Sequence, residues 1–446
     1  MKIKELNKEV IFKEEINMEK VKIAILGFGN VGTGVWKILQ ENRKEIMKRS
    51  NYDIAVAKIL VSDISKKREI ELPKGVLTNN IDDIINDDSI KIVVELIGGR
   101  GQAKEYMIRA MKAKKHIVTA NKLVVANWGE ELFKIAEEEN VLFYYEASVA
   151  GGIPIIREIN ESLTANRIEQ IVGIINGTTN YILSKMTNDG ISFDEALKEA
   201  QDKGYAEADP TSDVDGFDAV YKLAIMASLA FGTKVDHDCI YREGIRNISA
   251  VDIEYAQKFG YTIKLLAIAK EENSKLELRV HPTLIPSNHP MANVNDAFNA
   301  ILIKGNAVGE LMLYGKGAGD LPTGSAVVGD IISILRNNVK PSDLKAISGE
   351  EDFKEVKNSD ENESEFYIRL NVKDRAGVLG DTAKIFGKNN VSITSLTQDV
   401  VHKEYVLLAF ITHKSSERNI RESLKKIKEL EYVNEIESII RIESFN

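Results

Sequence analysis

The stretch from Gly204 to Lys222, GYAEADPTSDVDGFDAVYK, packs Glu207, Asp209, Asp213, Asp215 and Asp218 in front of a single lysine. Asp218 and Lys222 are four positions apart, so on a helix carboxylate and amine share a face. Such clusters are usually solvated loops carrying a routine surface ion pair. A chemical use is also open: carboxylates hold an ammonium group, and a lysine beside a carbonyl can donate and accept its proton. Hydride reduction of an aldehyde needs that help, because the developing alkoxide must be stabilised and protonated. EF-hand calcium binding fails, since the required glycine and closing glutamate spacing are missing.

A second chemical signal lies near the start. Gly27-Phe28-Gly29-Asn30-Val31-Gly32 follows the apolar run VKIAIL and opens a helical pattern, the context of a dinucleotide fingerprint rather than an ordinary glycine-rich turn. Gly27 permits the tight turn, Gly29 lets a pyrophosphate approach the backbone, and Gly32 allows close helix–strand packing. The helix N-terminus supplies unpaired N–H groups and partial positive charge. The acidic residue expected on the ribose is displaced by a longer connection, which makes Asp63 the candidate. Lys66-Lys67-Arg68 follow at once and suit a 2′-phosphate or plain solvation. NAD and NADP both stay open, with NADP slightly favoured.

Two further segments carry alternatives. Thr119-Ala-Asn-Lys122 lies just past a strand, where open α/β sheets place ligands, so Lys122 is either a contact to a carbonyl or nicotinamide ribose or a surface lysine. Glu146-Ala-Ser-Val-Ala-Gly-Gly-Ile-Pro154 bends through small residues and exposes carbonyl oxygens to a hard cation, or serves as an interdomain hinge. The six histidines are scattered without zinc spacing, and no G-x-S-x-G elbow marks a serine hydrolase.

The elements that must position these residues follow from periodicity. Strand-like runs at 54–61, 92–96, 117–119 and 141–145 alternate with helical stretches at 104–113 and 129–138, which predicts a parallel sheet covered on both faces. After Gly151 the pattern becomes α+β, with helices at 192–201 and 217–231 and strands at 167–175 and 276–284. Residues 341–364 are acidic and poor in large apolar groups, as in a solvated linker. Beyond them the text reads βαββαβ.

Four hundred and forty-six residues predict two to four domains. With 59 Lys+Arg against 68 Asp+Glu, the net charge of -9 argues against a nucleic-acid partner. Lone Cys239 excludes an intramolecular disulfide, no apolar run is long enough for a bilayer, and the charged first twenty residues are no signal peptide. A cytoplasmic address without membrane contact is expected, with Met18 an alternative start.

Taken in order, Gly27–Gly32, Thr119–Lys122, Glu146–Pro154, Gly177-Thr-Thr-Asn-Tyr181, GYAEADP with DGFDAVYKL, and Gly315-Lys-Gly-Ala-Gly319 resemble homoserine dehydrogenase, and the βαββαβ unit resembles an ACT domain. The resemblance implies a Rossmann-type dinucleotide-binding domain (21–152, completed by 314–340) after a tail (1–20), and an α+β catalytic and dimerisation domain (153–313). A linker (341–364) and an ACT regulatory domain (365–446) complete the α/β architecture. It implies reversible NAD(P)H-dependent reduction of L-aspartate 4-semialdehyde to L-homoserine on the route to threonine and methionine, in a homodimer or homotetramer.

By the same resemblance Lys222 is the general acid/base, Lys122 lies beside the reacting oxygen and nicotinamide, and Glu207 and Asp218 bind substrate. Phe28, Asn30, Val31, Gly204 and Gly319 line the cofactor. The carbonyls of Glu146, Val149, Gly151 and Ile153 hold a structural sodium ion. Ser62-Asp63 stands where NADP-preferring relatives often have arginine, which leaves cofactor choice open. In the ACT domain the turn at Gly377 admits a small ligand, so threonine feedback is expected, against a dimerisation module that has lost its ligand. Two rivals are a non-catalytic amino-acid sensor, which the presence of both lysines and both carboxylates opposes, and aspartate-semialdehyde dehydrogenase. The latter needs a nucleophilic cysteine, and Cys239 sits outside every motif.

Overall fold

The computed structural model describes residues 19–336, 354–402 and 405–445. The expectations placed on residues 1–18 and 341–353 lie outside them. Among the described residues two compact units emerge: 19–165 with 228–234 and 316–336, and 166–227 with 235–315 and the described part of 354–445.

In the first unit, β1 (Glu19–Leu26), β2 (Tyr52–Leu60), β3 (Leu77–Thr78), β4 (Ile90–Glu95), β5 (His116–Thr119) and β6 (Phe143–Tyr144) form one sheet. Its order is β3-β2-β1-β4-β5-β6 and every pairing is parallel. The strands read as near-continuous apolar runs because both faces are covered: Ile23, Ala24, Ile25 and Leu26 of β1 are all buried. Strand order reverses between β1 and β4, which opens the crevice where such sheets bind ligands. Behind it, the helix Asn30–Glu41 buries Val35, Trp36 and Leu39. The late helix Asp320–Arg336 returns to the same core with Val327, Val328, Ile331 and Ile334. Each such side chain contributes about 1.5–3 kcal/mol on burial, enough in sum to hold a distant segment in place.

The second unit contains β7 (Ile168–Ile174), β8 (Tyr241–Arg242), β9 (Tyr261–Glu272), β10 (Lys275–Pro286), β11 (Phe298–Gly305), β12 (Gly309–Lys316), β13 (Glu355–Val356), β14 (Glu363–Lys373), β15 (Ile393–His402), β16 (Tyr405–Thr412), β17 (Ser415–Ser416) and β18 (Val433–Ile442). The main path runs β12-β11-β7-β9-β10-β18-β14-β16-β15, with β8 and β13 paired to β10 and β17 to β14. One apolar core lies around Val172, Leu266, Ile268 and Leu302. Another, around Phe366, Phe386, Phe410 and Ile427, belongs to the βαββαβ segment, whose helices are Val378–Lys388 and Glu417–Lys428.

That segment appears with the expected element order, but it is not a separate compact unit. Strand β18 runs parallel beside β10 (Thr283 opposite Arg441, Leu284 opposite Ile442), so one hydrogen-bonded sheet passes through both cores. The end of the stretch expected to be a solvated linker is likewise folded. Glu355 and Val356 pair with Lys275 and Leu276, and Asn362 and Ser364 are buried. Poverty in large apolar residues was a poor guide here, because this piece is held by strand pairing and by ion pairs such as Lys354–Glu271 (2.9 Å).

Candidate active site

The helix Phe217–Phe231 forms over the residues its periodicity predicts, and its first turns carry the acid–amine pair. Lys222 Nζ donates to Asp218 Oδ2 (2.7 Å) and to the Ile175 carbonyl (2.8 Å). Asp218 is buried and the lysine side chain is 12% exposed, so this is not the routine surface pair that the spacing alone allows. A buried ion pair persists only when its remaining hydrogen-bonding capacity is met. Asn176 supplies that here: its Nδ2 donates to Asp218 Oδ2 (2.9 Å) and Asp213 Oδ1 (2.7 Å), while its Oδ1 caps the helix Gly177–Asp189 by accepting from Thr179 N–H (2.8 Å). Thr178 Oγ donates to the Tyr205 carbonyl (2.6 Å), which ties the loop before the lysine helix to the same cap.

Asn176 escaped the sequence reading, though a signal was present: Asn followed by Gly-Thr-Thr after an apolar strand is a helix N-cap pattern. Glu207 stands apart from this cluster as an exposed residue whose carbonyl accepts from Gln201 Nε2 (3.1 Å). Gly204, with φ +74°, ends the turn after Phe193–Asp202.

On the first unit, Gly27 adopts φ +96°, and a Cβ there would lie 2.6 Å from the Leu96 carbonyl oxygen. At Gly29 a Cβ would meet nothing within 4 Å, so the backbone leading into Asn30–Glu41 is bare on the side where a phosphate would approach. Phe28 and Val31 pack against the sheet core, and Gly319 precedes the returning helix.

Asp63 lies beyond the end of β2 and is exposed. Its carboxylate accepts from Ser65 N–H (2.8 Å) and Ser65 Oγ (2.6 Å), which holds it below the usual carboxylate range. Arg68 donates to the carbonyls of Asp63 (2.8 Å) and Lys66 (2.7 Å), so of the basic run it is Lys66 and Lys67 that face outward as cations.

Lys122 opens a helix, Lys122–Glu138, that starts seven residues earlier than its periodicity predicts. Trp128 interrupts it with non-helical angles (φ −135°, ψ 15°), which explains why only the later half carried a clean helical pattern. Asn121 caps it, accepting from Val124 N–H (3.2 Å) and donating to the Gly99 carbonyl (2.9 Å). Beneath lies Glu95, fully buried at the end of β4, which accepts from Thr119 Oγ (2.7 Å) and Ile97 N–H (2.8 Å). Burial pushes its carboxyl up against the effect of those bonds. The sequence reading missed Glu95, whose signal was a lone acid closing the buried strand IKIVVE.

At the fourth segment, Ala150 (φ +53°) and Gly151 (φ +51°) turn in succession through left-handed conformations. A Cβ on Gly151 would lie 2.6 Å from the Gly317 backbone. The Glu146 carboxylate is taken up by Ile156 and Arg157 N–H (2.8 Å each), and burial pushes it up to about 7. Asp330, which accepts from Glu146 N–H (2.9 Å), is also raised, by burial first and by Glu146 second.

Comparison with known proteins adds to this geometry. Residues 27–146 match the family model described as Homoserine dehydrogenase, NAD binding domain; 154–332 match Homoserine dehydrogenase; and 366–432 match ACT domain. Homoserine dehydrogenase of Bacillus subtilis is 41% identical over 428 residues, covering 96% of this chain and 99% of that protein. The crystal structure of a homoserine dehydrogenase from Thiobacillus denitrificans is 41% identical with a TM-score of 0.90, covering 96% of this chain and 99% of that one. A hyperthermophilic archaeal homoserine dehydrogenase in complex with NADPH is 27% identical with a TM-score of 0.58, covering 71% of this chain and 97% of that one. The chain therefore belongs to the homoserine dehydrogenase family of NAD(P)-dependent oxidoreductases, with a C-terminal ACT domain.

Proposed function

We propose that this enzyme interconverts L-homoserine and L-aspartate 4-semialdehyde, and that Lys222 moves the proton at the reacting oxygen. The observation that carries the reading is the buried Lys222–Asp218 pair with Asn176 behind it. A surface ion pair has no use for such support, whereas a proton carrier must be held at a defined position. In this reading Glu207 and Asp218 hold the substrate ammonium, and Lys222 protonates the alkoxide as the aldehyde is reduced, or removes the hydroxyl proton in the reverse direction. Lys122 is assigned to the nicotinamide end of the cofactor.

The residues fit a nicotinamide dinucleotide: Gly27 allows the tight approach of two strand ends, Gly29 leaves its side open, and Asn30 begins a helix with unpaired N–H groups. When bound, that cofactor supplies or accepts the hydride. Lys66 and Lys67, together with the NADPH held by the archaeal relative, favour NADP; Asp63 remains the candidate ribose contact. Gly204 and Gly319 are assigned to the cofactor lining.

A sodium ion is proposed at the carbonyl oxygens of Glu146, Val149, Gly151 and Ile153. The paired left-handed residues Ala150 and Gly151 support it, since neutral oxygen donors suit a hard monovalent cation. Threonine is proposed to act at the ACT turn, where Gly377 (φ +94°) caps the helix Val378–Lys388 and has open space beside it. A homodimer or homotetramer is proposed as well; the edge strand β12, with Tyr314 56% exposed, supports a further subunit contact. Among the described residues no helix is long and apolar enough to cross a membrane, and we place the enzyme in the cytoplasm.

Homoserine oxidation measured with NAD and with NADP, in sodium and potassium buffers and with and without threonine, tests these assignments. Turnover with neither cofactor overturns the reading. Equal melting temperatures in sodium and potassium remove the ion, and threonine without effect on rate removes the feedback.

A further inference from the structure

The text YTIKLLAIA places one lysine inside an apolar run, and the structure keeps it there: Lys264 lies on β9 between buried Ile263 and Leu265 and is 1% exposed. Lysine is almost never fully buried unless it is paired. Among the described residues no carboxylate pairs with this one. The charge of Asp296 acts on it without a hydrogen bond, and burial pushes the ammonium down to about 8. We propose that Lys264, through Asn180, is a positioning residue for the Asp218–Lys222 pair, an inference that rests on the homoserine reading above.

Neutral oxygens hold the ammonium in place of a counterion. Lys264 Nζ donates to the Val294 carbonyl (2.6 Å), to Asn180 Oδ1 (3.1 Å) and, more loosely, to Asn295 Oδ1 (3.4 Å). An ammonium can only donate, so the buried Asn180 side chain must turn its oxygen to Lys264 and its amide hydrogens the other way. There Nδ2 lies 3.0 Å from each of the carbonyls of Val294, Asp296 and Phe298. The segment 294–298 is thereby folded over the first turn of the helix Gly177–Asp189, with Asp296 at φ +54°. It lies so close that a Cβ on Gly177 would come within 2.8 Å of the Ala297 carbonyl oxygen.

The same helix turn meets the acid–amine pair. Asn180 N–H donates to the Asn176 carbonyl (3.2 Å), one helical turn away. Asn176 Nδ2 reaches Asp218 and Asp213, and the Ile175 carbonyl just before it accepts from Lys222 Nζ. Two of the contacts that fix the pair therefore belong to the start of one helix, and Lys264 holds that helix from the strand at Asn180. A knot that served the fold alone would need no ammonium. Asn180 reaches three carbonyls by itself, and an apolar side chain at 264 would join the neighbouring core of Leu266, Met291 and Val294 without taking a charge from water.

The test is Lys264→Met, which keeps the length of the side chain and removes its donors. At a temperature where circular dichroism shows the variant folded, kcat/KM for homoserine should fall about tenfold while NADPH affinity stays within about twofold of the wild type. A mutant cycle with Asn176→Ser gives a readout that lost stability alone does not move. If Lys264 acts through Asn176, the double variant loses no more than about threefold beyond either single one, whereas independent losses multiply to about a hundredfold. Asn180→Asp keeps an oxygen on the ammonium but drops the donations to the three carbonyls. It takes the place of Lys264→Met in the cycle if that variant does not fold, with the same pattern expected.

A folded Lys264→Met enzyme whose kcat/KM stays within about twofold of the wild type overturns the proposal. So does multiplication of the two losses in the cycle, or an equal loss of homoserine turnover and NADPH affinity. Failure of both Lys264→Met and Asn180→Asp to fold assigns Lys264 to the fold alone and overturns it as well. Failure of the homoserine reading shows in the wild type, which then has no turnover with either cofactor and takes this inference with it. A wild type that turns over beside an unimpaired Lys264→Met rejects this inference only.

Discussion

The glycine turn at the end of the nucleotide-binding sheet and the Lys222 cluster are built in opposite ways, and the proposed function gives each its reason. At Gly27–Gly32 the chain offers backbone: open space at Gly29 and a helix N-terminus, with no charged side chain taken from water. At Lys222 it offers side chains, with Asp218, Asn176 and the Ile175 carbonyl all within 3 Å of their partners in a largely buried setting. An anion is bound well by peptide dipoles, which carry no net charge and need no counterion. Proton transfer requires a titratable group at a defined place, so charge must be buried and then compensated. The contrast predicts that mutations will separate cofactor affinity from turnover.

The largest effect should come from Lys222→Ala. Loss of a general acid costs roughly 10²–10⁴-fold in kcat, and fluorescence titration should show NADPH affinity within about twofold of the wild type. A kcat within about tenfold of wild type would remove the side-chain half of the contrast.

A second test asks whether the contrast belongs to sites or to whole units, since the nucleotide-binding unit also buries carboxylates. Glu146 has its pKa raised from 4.5 to about 7 in the folded chain, so between those values the folded state binds more protons than the unfolded one. Stability is therefore fullest below about pH 4.5 for this group and falls as pH rises through 7, by at most about 3 kcal/mol. Urea denaturation from pH 5 to 8 should show that fall, and Glu146→Ala should make it shallower, leaving the part that comes from buried Asp330, whose carboxyl is raised as well. An unchanged slope in the variant would assign the pH dependence to other groups.

Gly29→Val probes the backbone half alone. The added side chain meets no protein atom at its Cβ, so the melting temperature should hold while NADPH binds roughly 10–100-fold more weakly, as expected for about 1.5–3 kcal/mol of charge-assisted hydrogen bonding. Normal affinity would move the pyrophosphate elsewhere. The smallest effect is expected from Asn176→Ser, which keeps a helix cap but loses the bridge between Asp213 and Asp218; kcat/KM for homoserine should fall about tenfold with cofactor affinity intact. An equal loss in both would mean that Asn176 only supports the fold.

These two regions also differ in how far they could be read before the structure. Glycine has few reasons to recur at fixed spacing after an apolar strand, so Gly27, Gly29 and Gly32 declared an element boundary and the nucleotide-binding family of the domain. The pair Asp218–Lys222 declared only a shared helix face. Its burial depends on Asn176, forty-two residues earlier, and on Ile175 at the end of another strand. Glu95 was hidden for the same reason, since a carboxylate ending an apolar strand shows its meaning only when Thr119 arrives beside it. The helix at Lys122 was cut short by the irregular Trp128, and the end of the expected linker proved to be folded because backbone pairing with β10 leaves no trace in hydropathy.

What the sequence determined by itself is what short-range physics writes: apolar alternation, glycine turns, the four-residue spacing of acid and amine, and the βαββαβ order of the C-terminal segment. Only the tertiary structure decided which charges are buried, that β10 and β18 join two cores in one sheet, and that Lys264 meets Asn180 in the interior. The reason is that burial and hydrogen-bond partnership are properties of pairs far apart in the chain. A single sequence fixes the members of each pair but does not name their partner.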